Sequence, residues 1–118
     1  MNNDLVKDVN ITFGSELPRE IILTLKFIGR KWTMPILYTL YKKTVLGFNE
    51  LKRELKNKIS SNMLSQILQE LQNNTLIEKR ITSDSPIRVE YSLTVSGSDL
   101  CDLCLALGAF GSKYLTNR

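Results

Sequence analysis

The apolar positions change their period once along the chain. In Ser15–Ile28, Ile21, Ile22, Leu25 and Ile28 recur at helical spacing, Pro18 fits a first turn, and Gly29 offers a stop. Thr33 then reads as an N-cap. Pro35 follows in the first turn, where its missing N–H costs nothing, and the helix runs to about Lys43. Thr44–Phe48 is a short extended piece containing Gly47, and Asn49 can cap a short helix over Glu50–Lys56. Ser60 caps the next helix, Ser61–Asn73. Its apolar stripe is Leu64, Ile67, Leu68 and Leu71, and Asn62, Ser65, Gln66, Gln69 and Asn73 lie opposite. Asn73-Asn74 supplies residues that tolerate a left-handed stop. The period then falls to two: Ile87, Val89, Tyr91 and Leu93 alternate with Arg88, Glu90 and Ser92. With the Ile- and Thr-rich Leu76–Thr82 and the turn cluster Ser83–Pro86, they predict a β-hairpin. Thr94 caps a last helix that reaches about Leu115.

This order predicts a mainly α chain with a small β-hairpin (α+β), arranged as a winged helix-turn-helix. Glu50–Lys56, the turn Asn57–Ile59 and Ser61–Asn73 form the helix-turn-helix, and Leu76–Leu93 the wing. Residues 1–14 read as an irregular N-terminal arm and residues 15–118 as a single domain. A length of 118 residues leaves no room for two ordinary cores.

Charge and composition then narrow the chemistry. Residues 26–58 hold nine basic and two acidic side chains, whereas the segments on either side are slightly acidic. A basic zone of this kind suits a polyanion. The absence of histidine removes Ser-His-Asp and Cys-His catalysis and every His-containing metal site, and two cysteines cannot build a four-cysteine zinc site. With no Gly-rich phosphate loop and no convergent acid–base set, neither an enzyme, a metal site nor a cofactor is expected. The polar, mixed-charge N-terminus is unlike a secretory signal, and no run is long and apolar enough for a membrane span, so a cytoplasmic protein is expected.

A helix that reads DNA needs hydrogen-bonding side chains on the face away from the core. Ser61, Asn62, Ser65, Gln66 and Gln69 meet that condition, on a face without charge. Phosphate contacts need flanking cations: Lys42, Lys43, Lys52, Arg53, Lys56 and Lys58 precede the helix, Ser60 opens it, and Arg30 and Lys31 stand before the second helix. Arg88 sits on the wing, where an arginine can enter the minor groove; the plainer use of that charge is an ion pair with Asp84 or Glu90. In Leu100–Phe110 nine of eleven residues are apolar, a band too wide for one core, and a second copy of the chain is the simplest cover. Cys101 and Cys104 spell C-x-x-C, but lie mid-helix among leucines, which favours buried thiols over redox or metal chemistry.

Four blocks in order, GRKWT (Gly29–Thr33), FNELKREL (Phe48–Leu55), ISSNMLSQILQEL (Ile59–Leu71) and RVEYSLT (Arg88–Thr94) followed by Gly97, resemble the HxlR family, a branch of the MarR-like winged-helix regulators of bacteria and archaea. The resemblance covers about residues 16–112. It implies transcription control by a homodimer on double-stranded DNA with a pseudo-palindromic operator, with the helix from Ser61 and the Arg88 wing on the DNA. It also implies N- and C-terminal dimer helices, with Ile22, Leu100, Leu103, Cys104, Leu107, Phe110 and Tyr114 at the interface. Where family members often carry Pro and Lys after the helix-opening serine, this chain has Ser61 and Asn62. The cysteine that many members carry before the first helix is missing here. The alternatives are a winged helix that binds protein, and a regulator answering a small-molecule effector or an oxidant.

Overall fold

The computed structural model describes residues 17–116, so the expected arm at 1–14 lies outside the described residues. The chain falls into two units that meet between Met34 and Pro35. The first carries α1, Arg19–Ile28, with Pro18 as its N-cap rather than in its first turn. The Pro18 carbonyl accepts from the N–H groups of Ile21 and Ile22, at 3.1 and 3.2 Å. Gly29 ends the helix in a right-handed conformation, so its freedom at positive φ is not used.

Helix α2, Thr33–Lys43, begins at Thr33 itself, the residue expected to cap it. Its last turn carries Lys42 and Lys43, the charge that a helix C-terminus favours. Ile36, Leu37 and Leu40 are buried, and the chain leaves the helix through Thr44 at a φ of 74°. Strand β1 is only Val45–Leu46. Helix α3, Phe48–Glu54, is capped by Gly47 and not by Asn49. The Gly47 N–H donates to Glu50 Oε1 at 3.0 Å, the backbone half of a capping box. Two residues at positive φ, Lys56 and Asn57, make the tight turn after it. Their N–H groups close back on Arg53 and Lys52 carbonyls at 2.8 and 3.0 Å, a Schellman stop.

Helix α4 has the expected bounds, Ser61–Asn73, and the Ser60 hydroxyl accepts from the Met63 N–H at 3.1 Å. The stop, however, is not left-handed at Asn73 or Asn74. Asn74 keeps φ −90°, and Thr75 takes the left-handed position at φ 58°. That geometry is costly for a β-branched residue. Another Schellman closure defines it: Thr75 N–H to the Gln72 carbonyl and Leu76 N–H to the Leu71 carbonyl, both 2.9 Å. Leu71 and Leu76 are both buried, which supplies the usual apolar clasp.

Strands β2 (Ile77–Asp84) and β3 (Ile87–Leu93) form the wing hairpin, and β1 adds to the free edge of β3 through Val45↔Ser92 and Leu46↔Tyr91. The antiparallel order is β1-β3-β2. A bulge between Ile81 and Ser83 shifts the register toward the tip. Helix α5, Val95–Tyr114, starts at a Thr94 cap whose Oγ1 accepts from Gly97 N–H at 3.2 Å. Its start lies against the α4–β2 junction: Thr94 N–H reaches the Leu76 carbonyl at 3.1 Å, and Ser96 Oγ the Thr75 carbonyl at 2.6 Å. Gly97 permits that approach, since a Cβ there would stand 2.0 Å from the Leu76 carbonyl oxygen. The core of this unit is Ile36, Leu37, Leu40, Leu51, Leu64, Leu68, Leu71, Tyr91 and Cys101.

Candidate nucleic-acid interface

The site is built on α4 because its two faces separate cleanly. Leu64, Leu68 and Leu71 are fully buried, and Ile67 is half-buried at the edge of that stripe. On the other side Ser61, Asn62, Ser65, Gln66 and Gln69 are all exposed. Gln69 is partly committed, its Nε2 donating to Asn73 Oδ1 at 3.0 Å, whereas Asn62 and Gln66 have no hydrogen-bonded partner among the described residues. The Ser60 hydroxyl caps the first turn, and the N–H groups left free there and the positive end of the dipole point along the axis at the Ser61 end of the helix.

The cations fall into different situations. Lys52, half-buried on α3, donates from Nζ to Ser61 Oγ at 3.0 Å, which brings its ammonium to the start of α4. Arg53, Lys56 and Lys58 are exposed, and none forms an ion pair among the described residues. Lys43 is paired with Glu54 at 3.7 Å, an exposed pair of little net value that a phosphate could replace. Lys42 Nζ stands 5.8 Å from the centre of the Tyr38 ring. Lys31 belongs to the first unit, with its Nζ 5.4 Å from the Trp32 ring centre.

Arg88 is exposed opposite Ser83 and pairs with neither Asp84 nor Glu90 among the described residues. Two further basic side chains on the wing, Lys79 and Arg80, were missed by the sequence reading; Arg80 pairs with Glu78 at 3.6 Å. Their only sequence signal was charge on adjacent residues of a strand. Met63 was also passed over, although it is 45% exposed in the first turn of α4.

The residues expected at a dimer interface divide differently from the expectation. Leu103, Leu107, Phe110 and Tyr114 recur along one stripe of α5 and are exposed, with the Phe110 and Tyr114 rings 5.0 Å apart. Leu100 and Cys104 are half-buried. Ile22 is buried within the single chain, at 1% exposed, while Leu17, Ile21 and Leu25 near it are exposed apolar residues. Cys101 is buried, and burial first, then the neighbouring Cys104 and Asp102, pushes its thiol up to about 11. Burial also raises Cys104. Both are free thiols with the opposite bias from a reactive cysteine. Among the described residues no His, Cys, Asp and Glu cluster could hold a metal ion, and no helix is long and apolar enough to cross a membrane.

Comparison with known proteins gives the family and the fold. Residues 27–118 match the family model described as HxlR-like helix-turn-helix. The chain is 44% identical over 80 residues to YdzF of Bacillus subtilis (strain 168), an uncharacterized HTH-type transcriptional regulator, covering 68% of this chain and 72% of YdzF. Its fold is similar to that of a transcriptional regulator of the MarR family from Enterococcus faecalis V583, with a TM-score of 0.78 and 26% identity over 90% of this chain and 94% of that one. It is also similar to the redox regulator HypR in its oxidized form, with a TM-score of 0.68 and 30% identity over 80% and 95% of the two chains.

Proposed function

The chain belongs to the HxlR-like helix-turn-helix family and is a transcriptional regulator of the winged-helix type; from that premise we propose that it reads a pseudo-palindromic DNA operator as a homodimer. The observation that carries this reading is the exposed, uncharged polar face of α4 beside the exposed Arg53, Lys56 and Lys58, with Lys52 held at its first turn. Two copies of α4 enter successive major grooves about 34–36 Å apart. Asn62 and Gln66 offer the amide geometry that pairs with adenine N6 and N7, and Ser61, Ser65 and Gln69 add hydroxyl and amide contacts. Lys42, Lys43, Lys52, Arg53, Lys58 and Ser60 contact phosphates, Lys43 by exchanging Glu54 for a phosphate oxygen. Lys31 adds a backbone contact, and Arg88 lies at the minor groove beside the wing.

The exposed α5 stripe Leu103, Leu107, Phe110 and Tyr114 is the face that a second copy covers. Such a regulator works in the cytoplasm, beside the DNA that it controls. The redox-responsive alternative draws no support from Cys101 or Cys104, since burial holds both thiols in the protonated form.

The test is fluorescence anisotropy with the DNA upstream of its own gene and with duplexes enriched from a random pool, against a scrambled duplex, over a range of salt. Six to ten phosphate contacts predict that log K falls with log salt at a slope of roughly −5 to −9. Sequence-selective binding with that slope is the expected result. No binding even at low salt would overturn the reading and favour a protein-binding winged helix.

A further inference from the structure

Helix α4 carries one apolar side chain that the core does not use. Met63 is 45% exposed, whereas Leu64, Leu68 and Leu71 of the same helix are at most 1% exposed. Its position is well fixed, because its backbone N–H is the one bound by the Ser60 hydroxyl at 3.1 Å. At 3.6 residues per turn, Met63 lies beside Asn62 and on the same flank as Gln66, three residues on. The exposed side chains nearest it, Asn62 and Gln66, are polar and uncharged, while Ser65, two residues on, projects from the opposite flank. Lys52 brings its ammonium to the Ser61 hydroxyl at the helix start, at 3.0 Å. The surroundings therefore suit a polyanion while Met63 does not.

Isolated apolar side chains are ordinary on a protein surface. This one projects from the first turn of a helix whose N-terminal residues are those that meet base edges in a major groove. The apolar group that a base pair presents there is the thymine C5-methyl. Hydrogen-bonding side chains do not register that methyl, and a flexible, polarizable thioether fits against it. Resting on the assignment of α4 as the reading helix, we infer that Met63 is a specificity-determining residue that packs on a thymine C5-methyl next to the base read by Gln66. Each half-site then carries a thymine at a fixed step from the Gln66 contact.

Uracil in place of thymine tests this directly, since it removes the methyl and keeps the hydrogen-bonding edge. A duplex pool of random sequence is enriched on the full-length protein. Each thymine of the enriched site is then replaced by uracil, symmetrically in both half-sites. At one position uracil should weaken the wild type about fourfold per half-site, the worth of one buried methyl, and roughly tenfold or more over both. Met63→Ala should bind the thymine site about as weakly as the wild type binds the uracil site. It should not respond to uracil there, and it should keep the wild-type salt slope. Met63→Leu, which keeps the apolar volume, should stay sensitive to uracil. If uracil weakens wild type and Met63→Ala equally, or matters at no position, the methyl contact is overturned while α4 still stands as the reading helix. A wild type that enriches no common sequence overturns the DNA-reading assignment, and the Met63 contact with it.

Discussion

Replacing Gly97 by alanine sets two known effects against each other in one helix. A Cβ at Gly97 would stand 2.0 Å from the Leu76 carbonyl oxygen and 3.1 Å from both the Leu76 carbonyl carbon and Leu93 Cδ2. Ordinary C···O contact begins at about 3.3 Å, so the start of α5 must retreat by roughly 1.3 Å. The obstacle is backbone, which no side-chain rotation relieves. Retreat loosens the Thr94 N–H bond to the Leu76 carbonyl, now 3.1 Å, and the Ser96 hydroxyl bond to the Thr75 carbonyl, now 2.6 Å. These are worth about 1 kcal/mol each, and overpacking adds roughly 1–3 kcal/mol. Against this, alanine gains about 1 kcal/mol of helix propensity over glycine. Gly97→Ala is therefore expected to cost about 2–4 kcal/mol, a fall in Tm of roughly 8–16 °C. Gly108 of the same helix has nothing within 4 Å of its would-be Cβ, so Gly108→Ala should gain up to about 1 kcal/mol from propensity alone. Thermal and urea melts at one fixed protomer concentration measure both. Equal stability of Gly97→Ala and Gly108→Ala would refute the close approach of α5 to the α4–β2 junction.

Four other outcomes are expected. Gln66→Ala should reduce discrimination between operator and random duplex by about 1–3 kcal/mol in competition binding, and unchanged discrimination would remove it from the base contacts. Lys52→Ala should weaken all sequences alike and flatten the salt slope by about one unit, because it loses a phosphate contact rather than a base contact. Phe110→Glu places a charge on the exposed α5 stripe, so light scattering should show a shift from dimer to monomer while circular dichroism keeps its helical signal. Cys101 titrates higher in the fold than in the open chain, so its burial stabilises fully below pH 9 and progressively less as pH rises toward about 11. The urea midpoints of wild type and Cys101→Ala should therefore converge between pH 9 and 11, and parallel curves would deny the burial effect.

Features closed by neighbouring residues were legible in the sequence. Helix α4 has its expected bounds because a serine cap and an apolar stripe are local signals. The hairpin followed from period-two alternation around a turn cluster, and the exposed polar face of α4 is the complement of that stripe. Gly97 stood out by resemblance alone; its physical reason, a backbone contact with Leu76, joins residues distant in the chain.

Tertiary contacts decided the rest. Val45–Leu46 is too short to be a strand by itself and becomes one only by pairing with β3. One local closure also escaped the pattern: the α3 cap moved from Asn49 to Gly47 because the Glu50 carboxylate, three residues on, closes on the Gly47 N–H, and a Cβ there would crowd that oxygen at 3.1 Å. The left-handed stop fell on Thr75, where the Thr94 and Ser96 hydroxyls meet its carbonyl and hold a conformation that asparagine would adopt more readily. Side-chain partners followed the same rule: Lys43 met Glu54, Lys52 met Ser61, Ile22 went inside and Met63 stayed out. Periodicity assigns a residue to a face of its own helix. Whether that face meets core, counter-charge or open solvent depends on elements far away in sequence, and only the folded chain brings them together.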